Sequence, residues 1–335
     1  MRDEHLRRAK LVKIFMITLP DFKQKQILFI QTQRNVSNKI RFQNDNIVFL
    51  KDDKVANRAS CHRVFAAFII GDISLTSELI KQARRLGVSF FLLKYNFEPY
   101  AAINAASEGN YLLRMRQYEL EDDKELFIAR QIVKNKVANQ ISLLKSREIG
   151  ENIVAREKEI MEAIDSAGKQ DSLRGIEGNV SKEFFKEYFG PIGWSWRMPR
   201  VKPDIPNFLL DIGYTMMFNT LDALLCLYGF DTYKGCYHKL FFQRKSLTCD
   251  IVEPFRAIID REVLKLYTLK KIQEKDFKQR NGNLLLSFEH SAKYAQVFLE
   301  AIMNHKEEMY RYVQGYYRFF MNSEANPFPH FKISR

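Results

Sequence analysis

Apolar positions in the first hundred residues fall in short runs of strand length, and beyond about residue 107 they recur at helical spacing instead. "QILFIQT" (26–32), "VFAAFIIGD" (64–72) and "VSFFLLK" (88–94) read as buried strands. "NKIRFQNDNIVFLKDD" (38–53) alternates apolar and polar residues on either side of Asn44-Asp45-Asn46, which predicts a hairpin. Between these strands, "SLTSELIKQARRLG" (74–87) has a Ser74 or Thr76 cap, helical periodicity and a closing Gly87. The pattern predicts a small β domain crossed by one helix.

The remainder predicts helices. "ELFIARQIVKNKVANQISLLKSRE" (125–148) reads as a long amphipathic helix with basic residues, Lys134 and Lys136 among them, along its solvated face. A polar break at 165–172 precedes "LRGIEGNVSKEFFKEYFG", and the Pro-rich "MPRVKPDIP" (198–206) leads into a helix over 207–229 that Gly229 stops. Helices around 250–272 and 288–319 follow, and residues 326–335 read as a loose tail. The expected class is α+β in two domains, an N-terminal β-sheet domain with one helix over 1–106 and an all-α domain over 107–325.

With 335 residues, 46% hydrophobic and 28% charged, the chain has the composition of a folded protein. Its 53 Lys and Arg exceed 40 Asp and Glu, a formal charge of +13 that favours a polyanionic partner such as nucleic acid or an anionic membrane surface. Cys61, Cys226, Cys236 and Cys249 form no C-x-x-C pair and read as small buried hydrophobes in a reducing compartment. Lys13 interrupts the apolar run of the amino terminus, and no stretch approaches the length of a membrane span. A cytoplasmic protein with no membrane partner is expected.

Three places carry candidate chemistry. Glu177 lies one step off the stripe Ile176, Val180, Phe184, Tyr188, between Gly175 and Gly178. The glycines give room for a backbone or ligand to approach the carboxylate, or mark a fraying helix start with an exposed acid. His238, in "GCYHK", follows Gly235 and precedes Lys239, Arg244 and Lys245, and a lone histidine of this kind is more often a hydrogen-bonded structural residue than a ligand. In "DIVEPFR", Asp250 and Glu253 stand three apart, which on a helix brackets one cation. The same D-x-x-E spacing is also the capping box that starts helices, and Pro254 suits such a start. Arg244, Lys245 and Arg256 are candidate phosphate contacts, Arg256 also being able to pair with a neighbouring acid. Together, two carboxylates and an imidazole suit Mg²⁺ or Mn²⁺ better than structural zinc, and in a basic protein the substrate suited to such a metal is a phosphodiester.

The run "LLDIGYTMMFNTLDALLCLYGFDTYKGCYH", followed by "SLTCDIVEPFR", resembles the core of the CRISPR-associated spacer-acquisition integrase and endonuclease family, the most widespread protein of CRISPR adaptation. "LRGIEGNVSKEFFKEYF" resembles the family's glutamate segment, and "NKIRFQNDNIVFLKDD" with "IIGDISLTSELIKQARRLGVSFFLL" resembles its β domain. The resemblance runs in the expected order from about residue 26 to 300. It implies that Glu177, His238 and Glu253 are the metal ligands and that Asp250 is the accompanying active-site acid. Glu253 stands where some members carry aspartate, and residues 1–25 have no counterpart in the family's core.

The resemblance further implies a metal-dependent strand transfer in which the 3′-hydroxyl of a short protospacer DNA attacks a phosphodiester of the CRISPR repeat. It implies a homodimer formed through the β domain, and a heterohexamer with a dimer of the second CRISPR adaptation protein. Basic positions Lys134, Lys136, Arg197, Arg200 and Lys202 are then expected along the backbone of a double-stranded or branched DNA. The competing readings are a stand-alone metal-dependent nuclease acting on branched DNA, and a scaffold whose carboxylates only cap helices.

Overall fold

The computed structural model describes residues 18–95, 97–105, 110–199, 201–280, 283–286 and 288–334. Its N-terminal part runs α1 (Leu19–Lys23), β1 (Gln26–Gln31), β2 (Asn38–Gln43), β3 (Asn46–Lys51), β4 (Lys54–Ser60), β5 (Val64–Ile70), β6 (Ser74–Leu75), α2 (Ser77–Arg85), β7 (Ser89–Leu93) and β8 (Pro99–Ile103). One sheet has the order β1-β5-β7-β8, with β1 and β7 parallel to β5 and β8 antiparallel to β7. All seven residues of β5 are buried, which is why its sequence is a continuous apolar run and not an alternation. The second sheet has the order β4-β3-β2-β6. Its two hairpin turns place Asn44 and Asp45, then Asp52 and Asp53, at positive φ, the pairing of type I′ turns.

The sheets and α2 share one small core, in which Ile40, Ile47 and Phe49 meet Ala67, Ile69, Phe90, Leu79 and Ala83. Thr76 caps α2 through Oγ1, which accepts from Leu79 N–H at 3.2 Å. The other face of the first sheet, with Phe65, Phe68, Ile70, Phe91 and Leu93, belongs to the larger core of the helical part. Three strands of this part lie beyond the sequence reading, β4, β8 and the two-residue β6, whose Ser74 and Leu75 fall in the segment read as the helix. Both β4 and β8 are edge strands with little burial on either side, so neither has the alternation that marks a half-buried strand. Of residues 1–25, α1 is described. Its Phe22 is buried against Phe65 and Tyr310, at ring distances of 5.1 and 4.9 Å.

The helical part runs α3 (Tyr111–Tyr118), α4 (Asp122–Ser146), α5 (Glu151–Ala155), α6 (Glu157–Ser166), α7 (Gln170–Phe189), α8 (Ile205–Tyr228), α9 (Ser246–Val252), a 3₁₀ turn (Glu253–Phe255), α10 (Arg256–Thr268), β9 (Phe277–Arg280), β10 (Asn283–Leu286), α11 (Phe288–Asn304) and α12 (Lys306–Met321). The position expected for the boundary between the two parts, 106–107, lies outside the described residues. Acids Asp122, Asp123 and Glu125 occupy the first turn of α4 and Lys145 its last, as the helix dipole favours. The long helix α8 is apolar nearly all round and is buried nearly all round. Asp204 caps its start, and Gly229, at φ 85°, ends it.

Four expectations are corrected here. The helix expected over 250–272 is broken at Glu253–Phe255, where Pro254 cannot donate to the ladder. That expected over 288–319 is two helices meeting at His305. Residues 326–334 are no loose tail: Phe331 and Ile333 are buried, Phe331 packs on Phe255 with ring centres 4.5 Å apart, and its N–H and carbonyl bond Asn135 of α4. The helical part also carries the antiparallel ribbon β9–β10, which the all-α expectation did not include.

Candidate active site

The loop 235–238 is tied to α9 by one carboxylate. Asp250, fully buried, accepts from the backbone N–H groups of Cys236 at 2.7 Å, Tyr237 at 2.9 Å and His238 at 2.8 Å. Its Oδ1 also lies 2.7 Å from His238 Nδ1. With a carboxylate as the partner, Nδ1 carries the proton and Nε2 presents its lone pair, the usual support of a metal-binding histidine. Gly235 makes this approach possible, since a Cβ there would stand 2.7 Å from Asp250 Oδ2. Asp250 therefore does not cap its own helix. It orients His238.

Glu177 and Glu253 meet at a different group. Lys136 of α4 places Nζ 2.5 Å from Glu177 Oε1 and 2.6 Å from Glu253 Oε2. Lys136 is thereby removed from the solvated face on which it was expected. It sits on the buried stripe Ile128, Ile132, Lys136, Gln140, Leu144. Burial opposes its charge, but the two carboxylates outweigh burial and raise its pKa. Burial likewise pushes Glu253 up, and Arg256, Lys136 and His238 outweigh it to hold the carboxyl at about 2. Glu253 Oε1 pairs with Arg256 at 3.0 Å. Its Oε2 meets the ammonium off the hydrogen-bond direction, so that buried oxygen has no aligned donor.

Glu177 is part-buried within α7 and is no fraying-end acid. Ser181 Oγ donates to its Oε1 at 2.7 Å and Tyr237 OH donates to its Oε2 at 3.2 Å. Burial works to raise its pKa, and Lys136 lowers it below the ordinary value. Added Cβ atoms at Gly175 and Gly178 would meet nothing within 4 Å, so the helix surface flanking Glu177 is open. Tyr237 also bridges to the other half, its ring standing 5.0 Å from that of His238. The arrangement is thus two supported carboxylates around one buried cation, joined through Tyr237 to an oriented imidazole. Among the described residues, no three His, Cys, Asp or Glu side chains are grouped to hold an ion.

The expected phosphate contacts fare unequally. Lys245 pairs at 2.6 Å with buried Asp222, and Arg197 is held by Asp211 and Asn207, so both serve the fold. Arg256 is committed to Glu253 and lies over the Tyr214 ring at 4.6 Å. Lys134 pairs with Asp165 at 2.7 Å. Lys202 lies over Phe208 at 5.4 Å, and Arg244 over Phe241 at 5.6 Å. Arg200 lies outside the described residues. Lys136, Ser181 and Tyr237 were missed as site residues. For Lys136 the signal was present, a lysine four and eight residues after Ile132 and Ile128 of a buried stripe.

The sequence model of the family described as CRISPR associated protein Cas1 matches residues 28–300. The chain belongs to the Cas1 family. It is 25% identical over 296 residues to a CRISPR-associated endonuclease Cas1 of Thermodesulfovibrio yellowstonii, covering 84% of this chain and 93% of that protein. To one of Archaeoglobus fulgidus it is 29% identical over 271 residues, covering 71% and 78%. The fold is that of a CAS1 protein from Thermotoga maritima, with a TM-score of 0.78 at 18% identity over 92% of this chain and all of that one. A casposase bound to its integration product superposes equally, with a TM-score of 0.78 at 18% identity over 92% of this chain and 95% of that one. No helix among the described residues is long and apolar enough to cross a membrane.

Proposed function

We infer that this Cas1-family protein is a metal-dependent DNA integrase that joins the 3′-hydroxyl ends of short protospacer DNA to phosphodiesters of the CRISPR repeat. The observation that carries the reading is the pairing of the two site halves. A buried aspartate presents His238 Nε2, and Glu253, held ionised, keeps one buried oxygen without an aligned donor. That donor set suits a divalent cation of the Mg²⁺ or Mn²⁺ kind. Glu177, Glu253 and His238 would hold it, and when bound it would polarise the phosphate and stabilise charge on the attacking and leaving oxygens.

The chain's own residues do the rest. Asp250 fixes the His238 tautomer and ring direction through four N–H contacts. Ser181 and Tyr237 aim the Glu177 carboxylate, and Arg256 aims that of Glu253. The open helix surface at Gly175 and Gly178 lets a phosphate backbone approach beside Glu177. The 3′-oxygen forms one P–O bond as the repeat strand's 3′-oxygen gives one up, so the step needs no nucleotide cofactor. The long exposed edge β4 suits pairing of two copies into the homodimer, and two such dimers around a dimer of the second adaptation protein supply the two sites that joining both ends requires.

The test supplies a supercoiled repeat-bearing plasmid, a labelled short duplex and the second adaptation protein, with Mg²⁺, Mn²⁺ or chelator. Covalent transfer of label to the plasmid, abolished by chelator and by His238→Ala, is the expected result. Plain cleavage without transfer would establish the stand-alone nuclease, and no metal-dependent product at all would leave a scaffold.

A further inference from the structure

The backbone of residues 236–238 divides its hydrogen bonds between two helices. Its three N–H groups all go to Asp250 of α9, three residues before Glu253. Its first two carbonyls go to α7, the helix that carries Glu177. Gln170 Nε2 donates to the Cys236 carbonyl at 2.6 Å, and Arg174 Nη2 donates to the Tyr237 carbonyl at 3.1 Å. Backbone groups taken from water find partners as a rule, but here the partners are side chains of ligand-bearing elements. Gln170, Arg174 and Glu177 stand at i, i+4 and i+7, so one face of α7 presents all three. The Gln170 amide has a set direction, because Arg174 Nη2 also donates to its Oε1 at 3.4 Å and leaves Nε2 for Cys236. Arg174 in turn is held by Asp171 at 2.6 Å, and Lys239 reaches the same carboxylate at 3.4 Å.

We propose that Gln170 is a positioning residue that sets the separation between His238 and Glu177, so that the imidazole and the carboxylate reach one ion together. This rests on the reading of Glu177, His238 and Glu253 as the ligands of a divalent cation. Asp250 ties His238 to the turn that carries Glu253, and nothing in that contact relates the loop to α7. The relation to Glu177 comes from the face of α7. From Gln170 to Glu177 is two turns of helix, a rigid rise of about 10 Å. Its far end meets the loop again where Tyr237 OH donates to Glu177 Oε2 at 3.2 Å. That contact can follow the Tyr237 side chain as it rotates, whereas Gln170 holds the backbone two residues before His238. The bond stands at the wall of an open cavity of about 450 Å³ that Gln170, Cys236 and His238 help to line. A carbonyl released there is met by water, and Arg174 still holds Tyr237, so losing the Gln170 donor shifts the loop without unfolding it.

The test uses the full chain with Mn²⁺ alone and no DNA, read by pulsed electron paramagnetic resonance. ¹⁴N modulation from a bound imidazole reports whether His238 reaches the ion, and titration of the free-ion signal gives the affinity. Modulation is expected in the wild type and its loss in His238→Ala. Gln170→Met keeps the length of the side chain and removes its donor. It is expected to bind Mn²⁺ about ten-fold more weakly, to lose most of the ¹⁴N modulation and to melt within about 3 °C of wild type. Thr76→Ala, which removes the cap of α2 in the β domain, is expected to cost a similar amount of melting temperature and to change neither reading. Full modulation in Gln170→Met overturns the proposal whatever the affinity, because the imidazole would then reach the ion without the amide. Loss of modulation in Thr76→Ala overturns it too, since the effect would follow stability and not position. If the wild type shows no ¹⁴N modulation, the reading of His238 as a ligand fails as well. If the wild type shows it and Gln170→Met keeps it, only the role of Gln170 fails.

Discussion

Lys136 and Glu253 form a buried ion pair, with Nζ 2.6 Å from Oε2, and the same ammonium reaches Glu177 at 2.5 Å. Two acids that would otherwise repel each other are thereby held at one point. A divalent cation bound by these carboxylates competes with the ammonium for the same charge. Lys136→Met is therefore expected to lower the stability of the metal-free protein by about 2–4 kcal/mol, because Glu253 loses one of the two cations paired with it and Glu177 loses its ammonium partner. The same variant is expected to bind Mn²⁺ about ten-fold more tightly in an electron paramagnetic resonance titration, and to gain more melting temperature from it. Weaker Mn²⁺ binding in the variant would mean that Lys136 shapes the carboxylates for the ion and does not compete with it.

Asp250→Asn tests the orientation of His238. The amide has one acceptor oxygen where the carboxylate serves four N–H groups, and its NH₂ turns donors against donors. A stability loss of about 2–4 kcal/mol is expected. Strand joining is expected to fall about 10- to 100-fold beyond what unfolding explains, with metal affinity falling in step. The imidazole ¹⁵N spectrum reads the cause directly, since the Nδ1–H tautomer of His238 should no longer dominate. An unchanged tautomer with full metal affinity would reduce Asp250 to a brace of the 235–238 loop.

The fold was legible where burial imposes a period. The continuous run of β5, the Asn44-Asp45 hairpin, the Thr76 cap and the Gly229 stop all follow from local sequence and are found as read. Edge strands β4 and β8 were not legible, because a strand exposed on both faces has no alternation to show. At the site, Glu177, His238 and Glu253 could be singled out, but what holds them was not legible in their local segments. Lys136 lies 41 residues from Glu177, and their meeting depends on how α4 packs against α7. The closing segment looked loose because Pro and polar residues dominate it, while its anchors, Asn135 and Asn139, lie nearly two hundred residues away.

That segment also braces the site. Asn139 Nδ2 donates to the carbonyls of Phe331 at 3.0 Å and of Pro254 at 2.9 Å, so one side chain ties the terminal segment to the turn that carries Glu253. Removing residues 326–335 uncovers Phe255, takes away the bonds of the Asn135 amide to Phe331 and His330, and leaves the Asn139 amide only its bond to Pro254. A loss of about 3–5 kcal/mol in denaturant unfolding is expected. Phe331→Leu, which keeps the backbone bonds and most of the apolar volume, is expected to cost under about 1.5 kcal/mol. Equal losses from the two changes would place the anchoring in the Phe331 ring and not in the asparagine bonds.

Asp260 gives the protein a pH dependence of its own. It is fully buried, its Oδ2 has no hydrogen-bond partner, and burial lifts its pKa to about 6 against the opposing effects of the Tyr214 hydroxyl and Arg256. The unfolded chain releases this proton near pH 4. Between about pH 4 and 6 the folded state therefore binds more protons than the unfolded one, and stability falls as pH rises through that window. Asp260→Asn removes the charge and keeps an acceptor for Tyr214 OH. The variant is expected to be more stable than wild type by about 1–3 kcal/mol at pH 8, with the gap closing by pH 4. Melting in metal-free buffer at pH 4, 6 and 8 reads it. The depressed carboxyls of Glu177 and Glu253 are common to both proteins and cancel in the comparison. A gap that stays constant with pH would show that the folded state carries Asp260 as an ordinary ionised acid, its charge fully met by Arg256 and Tyr214.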